Sequence, residues 1–306
     1  MKVKIRLVHL SDIHFGCENV DAVEAAIGAV QAFAPDLTIV SGDITANGRA
    51  EEFAAARAWL DRLPKPQIST PGNHDVPYWD LPARLVAPFK LYRAFVGRPD
   101  KSATYLPGLT VRCLNTARGV QLRTDWSKGA IDLAAVRTAA AEMRVATRAL
   151  KVMVCHHPLI EPGDASVTGG VRYGAEAAGI LAEAGVDLIL TGHVHDPFAL
   201  SVSGAEAGGQ EGGKTRNPER AYAVGAGTLS LRTRATPAGF SLIDVDADTI
   251  KVSSLIWTGS DFHPATVWTL PRRAQLPPVK LFNSFEAPAP ASTRGRPSFK
   301  LRVHPR

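Results

Sequence analysis

Cysteine is scarce in this chain of 306 residues, where Cys17, Cys113 and Cys155 are odd in number and far apart. None of the close pairs of a zinc ribbon or a thioredoxin-like redox site is present, and a chain this long can bury a sizeable core without disulfides. Long hydrophobic runs are missing as well. No apolar stretch approaches the roughly 18 residues of a membrane span, and the first residues pass straight into the strand-like VKIRLVHL without a signal-peptide pattern. A cytoplasmic protein is expected. Aromatic residues are few, at 7%, but 45% hydrophobic and 21% charged residues give the balance of a globular chain, which excludes a fibrous or largely disordered one. Over residues 1–270 there is no basic surplus either: 27 Lys and Arg face 28 Asp and Glu. The overall charge of +6 comes from residue 271 onward, where eight bases meet one acid, Glu286. A basic channel for nucleic acid is not expected in the body of the chain.

Short apolar runs alternate with helix-period segments through the first two thirds. RLVHL (6–10), LTIV (37–40), QIST (67–70), LTVRCLN (109–115), KVMVC (151–155) and VDLIL (186–190) read as strands. Helices are expected over Val20–Phe33, Ala50–Leu63, Asp132–Ala149 and Ala175–Ala184, with a loop plus helix where Pro77, Pro82, Pro88 and Pro99 interrupt the pattern. Beyond residue 196 only strands follow, FALSV, AYAVG, FSLIDV, IKVSSLIW and ATVWTL, and this half reads as antiparallel. Gly204, Gly208, Gly209, Gly212 and Gly213 mark a flexible loop between two of them. The alternation predicts an α/β sandwich with strands buried on both faces. Residues 1–270 form the expected catalytic domain, and 271–306 a basic, Pro-rich tail in which VKLFNSF (279–285) is apolar enough to dock. Such a tail would hold an anionic membrane or nucleic acid by weak, salt-sensitive attraction.

The chemistry-bearing residues cluster where strands end. Asp12-Ile13-His14 follows the first strand, Gly42-Asp43 the second, Gly72-Asn73-His74-Asp75 the third, His156-His157-Pro158 the next long apolar run, and Gly192-His193-Val194-His195 the last of the series. In open α/β sheets ligands bind outside the carboxyl ends of strands, so the five sets can converge. Carboxylates, imidazoles and one amide, with no thiolate, suit Mn²⁺, Fe²⁺ or Fe³⁺, or Zn²⁺. Seven ligands are too many for one tetrahedral ion and suit two divalent ions sharing a carboxylate, which would acidify a bridging water and clamp the oxygens at phosphorus. Hydrolysis of a phosphate ester is the chemistry such a pair performs best.

The motif order D-x-H, G-D, G-N-H-D, H-H-P, G-H-x-H, over roughly residues 5–260, is similar to that of the calcineurin-like metallophosphoesterases. The resemblance implies a four-layer α-β-β-α sandwich of two mixed sheets with a dinuclear site at the strand ends. It implies Asp12, His14 and His195 on the first metal, Asn73, His156 and His193 on the second, and Asp43 as the bridge. His74 would be catalytic, near the substrate phosphate, either stabilising charge or protonating the leaving oxygen. The S-D-I-H-F start, the H-H-P form and the run GTLSLR (227–232) resemble the bacterial branch that includes class III cyclic-nucleotide phosphodiesterases, whose members also cleave glycerophosphodiesters.

Plainer roles weigh against some of these residues. A single histidine at a strand end is more often a core or turn histidine, which gives His9 and His263 little weight. His157 is expected to support its neighbours, Asp75 to orient its turn or His74, and Cys17 and Cys155 to be small buried hydrophobes. Gly42, Gly72 and Gly192 provide close backbone approach. Specificity is expected from loops 76–100, 117–130 and 160–174, with Tyr78, Trp79, Arg118, Trp126 and Tyr173 as candidates. A small phosphodiester is the expected substrate. Phosphomonoesterase, protein phosphatase and nuclease activity on the same metals stay open, as does a metal-dependent binding protein without turnover. The assembly state is open, a homodimer included.

Overall fold

The computed structural model describes residues 4–99, 103–146, 150–163, 165, 167–202 and 221–272. The expected glycine-rich loop, and the basic tail beyond Arg272 with its VKLFNSF segment, lie outside the described residues. All described residues belong to one unit, Met1–Ala274.

Strand β1 (Ile5–Leu10) is buried along nearly its whole length. Helix α1 (Val20–Phe33) begins where the Asn19 side chain accepts the Ala22 N–H at 3.1 Å, and it buries Val23, Ala26, Ile27 and Val30 at the spacing of one helical face. After β2 (Leu37–Val40), helix α2 (Ala50–Leu60) starts over the Glu52 carboxylate, which accepts the N–H groups of Asn47 at 2.8 Å and Arg49 at 3.2 Å. The helix stops three residues short of the expected Leu63, because Pro64 disfavours helical geometry just before it, yet Leu63 remains buried. Next come β3 (Gln67–Ser69), two short helices, α3 (Leu81–Val86) and α4 (Lys90–Phe95), in the proline-broken stretch, and an unanticipated β4 (Ala103–Leu106). The chain continues through β5 (Leu109–Cys113), α5 (Leu133–Val145), β6 (Leu150–Val154), α6 (Gly174–Glu183), β7 (Leu188–Thr191), β8 (Phe198–Val202) and β9 (Ala221–Gly225). It closes the described part with β10 (Gly239–Val245), β11 (Thr249–Trp257) and β12 (Phe262–Pro271). No helix among the described residues is long and apolar enough to cross a membrane.

The strands form two six-stranded mixed sheets, β12-β11-β10-β1-β2-β3 and β4-β5-β6-β7-β9-β8. Leu7, Leu37 and Ile39 of the first sheet share one apolar cluster with Val111, Val152, Leu188 and Tyr222 of the second. Residues of α1, α2 and α4 cover the other face of the first sheet, and those of α5 and α6 the other face of the second. The layers are therefore helices, sheet, sheet, helices. Beyond residue 196 the expected antiparallel pairing holds for β8 with β9 and for β10, β11 and β12 with one another, but β9 joins its sheet by pairing with β7 in parallel, Leu188 opposite Tyr222. Strand β8 runs antiparallel to β9 at the sheet edge, and β10 to β12 return to the first sheet, where β10 lies antiparallel to β1. Cys155 is fully buried as expected, whereas Cys17 is only half-buried.

Candidate metal centre

Parallel pairing brings the motif turns together. β1 and β2 run side by side, and their turns stay in register: Asp12 N–H donates to the Gly42 carbonyl at 3.0 Å and His14 N–H to that of Asp43 at 3.0 Å. β6 and β7 do the same in the other sheet, where Gly192 N–H donates to the His156 carbonyl at 2.9 Å. Asp12, His14, Asp43, His193 and His195 all have positive φ, between 49° and 72°. Non-glycine residues rarely occupy this region, and each instance costs on the order of 1 kcal/mol or more. The fold tolerates this strain where the side chain is needed.

Two facing donor sets result. In one, His195 Nε2 lies 3.1 Å and His14 Nε2 3.8 Å from Asp12 Oδ1, and the two imidazole nitrogens are 3.3 Å apart. In the other, Asn73 Oδ1 lies 3.2 Å from His156 Nε2 and 3.1 Å from His193 Nδ1. Asp43 Oδ2 stands between them, 3.7 Å from His14 Nε2 and 3.3 Å from His156 Nε2. All seven side chains are buried. Asp12 Oδ1, the oxygen that faces His14 and His195, is buried without a well-directed hydrogen bond, which is costly unless a cation satisfies it. The donor set therefore fits divalent cations.

Neighbouring groups fix the rings. His156 Nδ1 donates to the Ser41 carbonyl at 2.8 Å and His195 Nδ1 to the Arg232 carbonyl at 2.6 Å, so each turns Nε2 toward the cluster. Asp12 Oδ2 accepts from Ser11 Oγ at 2.6 Å and from His193 N–H at 2.9 Å, leaving Oδ1 as the inward oxygen. His157 belongs to no open position: Thr116 Oγ1 lies 2.8 Å from Nδ1 and the Ser127 carbonyl 2.8 Å from Nε2. Asp75 ties the turn together, its Oδ1 accepting Thr45 N–H at 2.9 Å and its Oδ2 Gly72 N–H at 2.9 Å. His9 is buried in the first sheet, with Nε2 2.8 Å from Ser41 Oγ.

Charge and burial compete throughout. Burial opposes the imidazolium of His156, but the Asp43 carboxylate outweighs it and lifts the pKa to about 9. At His14 and His193 burial wins and lowers the pKa to about 3 and about 4. Burial would raise Asp43, yet the charges of His156 and His74 hold it well below the usual carboxylate range. Burial and then the charge of Asp43 push Asp75 up to about 7. Because His156 in the ion-free chain is raised above its ordinary 6.5, it carries a proton at pH 7 and loses it only as the pH rises through about 9. A metal ion requires the neutral ring, so loading at pH 7 is expected to release about one proton or more and to tighten as the pH rises toward 9. Calorimetry of Mn²⁺ loading in buffers of different ionisation enthalpy reads this directly; heats independent of buffer would contradict a protonated His156 in the ion-free chain.

Half-buried His74 stands at the edge of the cluster, its ring centroid 4.8 Å from that of His14. Its N–H donates to Asp43 Oδ1 at 2.8 Å, and its Nδ1 lies 2.7 Å from the Ala46 carbonyl. Among the loop candidates, Tyr78 lies nearly parallel to the His74 ring at 6.4 Å, with Trp79 edge-on to Tyr78. The others turn elsewhere. Arg118 donates to the carbonyls of Asn115 and Ala117 in its own loop, Trp126 packs under Arg84, and Tyr173 under Arg172. The run GTLSLR (227–232) ends in Arg232, to which the sequence alone assigns no role. Its Nη1 lies 3.1 Å from His74 Nε2, a long-range meeting that no local spacing announces.

Residues 5–197 match the family model described as calcineurin-like phosphoesterase. A probable cyclic nucleotide phosphodiesterase of Synechococcus sp. is 22% identical over 84% of this chain and 94% of its own length. The glycerophosphodiester phosphodiesterase GpdQ of Enterobacter lignolyticus is 38% identical over 22% of this chain and 29% of its own. Among solved structures, PhoD superposes with a TM-score of 0.65 at 11% identity, over 88% of this chain and 70% of its own. The purple acid phosphatase PPD1 of yellow lupin gives 0.58 at 13%, over 89% of this chain, which spans only 54% of the lupin chain. At such identities the likeness is one of fold.

Proposed function

The chain belongs to the calcineurin-like phosphoesterase family, and from that premise we propose that it hydrolyses small phosphodiesters, of the cyclic-nucleotide or glycerophosphodiester type, with two divalent ions. The observation that carries this reading is the position of Asp43 Oδ2, within 3.7 Å of a nitrogen from each donor set. Asp12, His14 and His195 would hold one ion, Asn73, His156 and His193 the other, with Asp43 shared. The ions, when bound, supply Lewis-acid activation and charge neutralisation at the phosphoryl group. The chain's own part is to orient the imidazoles through the Ser41 and Arg232 carbonyls and to keep Asp43 ionised. The relatives favour the diester reading: the probable cyclic nucleotide phosphodiesterase aligns over most of both chains, and the glycerophosphodiesterase over a shorter stretch.

A Mn²⁺-loaded panel of an aryl phosphodiester, an aryl phosphomonoester, 3′,5′-cyclic nucleotides and single-stranded nucleic acid tests it. Diesters should be turned over faster than the monoester; a tenfold or greater preference for the monoester or for nucleic acid would sink the proposal.

His74→Ala is expected to lower turnover about 100-fold while metal content stays at the wild-type level, because His74 faces the cluster edge and is outside both donor sets. With Nδ1 donating to Ala46 and Nε2 accepting from Arg232, the ring has no proton aimed at a leaving group. The loss should therefore be equal for activated aryl and unactivated alkyl esters. A much larger loss for alkyl esters would restore the role of proton donor.

A further inference from the structure

Arg232 is held in place with care and yet has little to do within the protein. Segment 228–232 is stitched to the turn after β1: Ser230 bridges Glu18, Leu231 N–H donates to the Cys17 carbonyl at 3.0 Å, and Asn19 N–H to that of Leu229 at 3.0 Å. Thr228 Oγ1 donates to the Asp12 carbonyl at 2.5 Å and meets Ser230 Oγ at 2.7 Å, and Ser230 Oγ accepts the Arg232 N–H at 3.1 Å. The arginine backbone is thus fixed against the same turn that presents Asp12 and His14, and its carbonyl aims His195.

Its side chain contrasts with most of the other arginines, although Arg93, Arg144 and Arg234 are likewise exposed and without a carboxylate partner among the described residues. Arg6, Arg57, Arg62, Arg112 and Arg137 lie against carboxylates, and Arg84, Arg118 and Arg123 donate to backbone carbonyls. Among the described residues Arg232 has no carboxylate partner, and the His74 ring nitrogen is the one hydrogen-bond partner of its guanidinium. A guanidinium has five N–H donors in a rigid fork, so most of them remain open toward solvent beside the cluster. A guanidinium that has no carboxylate to neutralise it and bonds a histidine at the edge of the cluster is placed to receive an anion.

We propose that Arg232 is the phosphate-binding cation of this site: its fork takes a non-bridging oxygen of the substrate phosphoryl group, and His74 Nε2 holds the guanidinium in position before substrate arrives. This rests on reading the site as a phosphoester centre. It gives His74 a positioning task and assigns the charge-stabilising contact to a residue some 160 positions away in the chain. The ligand class is a tetrahedral phosphoryl anion, which a bidentate fork matches better than a point charge does.

Arg232→Ala, Arg232→Lys and wild type, each loaded with Mn²⁺, are to be compared in three measurements: metal content, affinity for inorganic phosphate by calorimetry, and turnover of an aryl phosphodiester with and without added guanidinium. The expected result is unchanged metal content, phosphate binding weakened about 10-fold and kcat/KM lowered about 100-fold in the alanine variant. Lysine should recover part of the affinity, and free guanidinium part of the lost turnover in the alanine variant alone. Phosphate affinity equal to wild type in Arg232→Ala would overturn the proposal, as would loss of metal, which would show that the side chain supports the packing of the metal centre rather than phosphate. If wild type binds phosphate through Arg232 but cleaves no diester, this inference stands and the phosphodiesterase reading falls.

Discussion

Asp43→Ala should abolish turnover, by about three orders of magnitude or more, and strip metal from the protein in the same step. The expectation follows from where one oxygen sits. Asp43 Oδ2 is within 3.7 Å of His14 Nε2 and 3.3 Å of His156 Nε2, so its removal empties the point where both donor sets meet. Asp43 Oδ1 is also engaged, by the His74 N–H at 2.8 Å, so the turn carrying Asn73 and His74 loses one of its ties and depends more on the bonds of Asp75. Five imidazoles, of His14, His74, His156, His193 and His195, would then crowd a site with one carboxylate fewer to balance any positive charge. Metal analysis and turnover should fall together, in contrast to His74→Ala, where turnover alone falls. An Asp43→Ala protein with full metal content would refute the sharing of that carboxylate. Asp43→Asn, of nearly the same shape, separates charge from packing: it should keep the fold and still lose the ions.

Gly192→Ala is the second severe change, and it acts without touching a ligand. A Cβ at this position would stand 1.8 Å from Ser11 Oγ and 2.3 Å from Asp12 Oδ2, distances that no relaxation of a flexible side chain relieves, because Ser11 Oγ and Asp12 Oδ2 are hydrogen-bonded to each other at 2.6 Å in a buried turn. Overpacking of this kind costs about 1–3 kcal/mol. It must also push Asp12 off the line set by the His193 N–H. The expected outcome is a lower melting temperature together with metal affinity reduced about tenfold or more. Gly28→Ala is the matched control. It lies inside α1 with open space around it, and alanine there should leave metal binding alone and raise stability by a few tenths to about 1 kcal/mol. Equal behaviour of the two variants would contradict the close-approach argument.

The parts of the fold visible in the sequence are those decided locally. Runs such as LTIV and VDLIL are apolar on both faces, which marks strands buried between layers, and the polar residues directly after them lie at the ends where ligands gather. Glycine at 72 and 192 announces tight turns for the same local reason. What escaped is set by distant partners. Nothing within AYAVG tells whether β9 lies parallel or antiparallel to β7; that depends on β8 taking the sheet edge, so the chain passes beyond its neighbour and returns in the direction of β7. The left-handed backbone at Asp12, His14, Asp43, His193 and His195 is invisible too: Asp and His are enriched at positive φ, but the enrichment over a low base is too weak to mark any one position. Strand β4, with an exposed Tyr105, lacks the apolar pattern that exposed the others. Arg232 escaped because its meaning comes from His74, on a turn of the other end of the chain.

Strand β1 is flanked by partners of very different age in the growing polypeptide. Its parallel neighbour β2 follows within some thirty residues, Leu7 opposite Leu37, but its antiparallel neighbour β10 pairs Ile5 with Val245. Thr228, which fastens the Asp12 carbonyl, also lies more than two hundred residues downstream. During synthesis the first two ligands therefore leave the ribosome long before the strand and the hydroxyl that hold them can exist. Such long-range closure comes late and slowly. The Asp12 carbonyl has no Thr228 hydroxyl, and the Asp12 and His14 side chains have no His195 beside them, until the second sheet is complete, so ion capture is coupled to completion of the sandwich rather than to emergence of the first ligands.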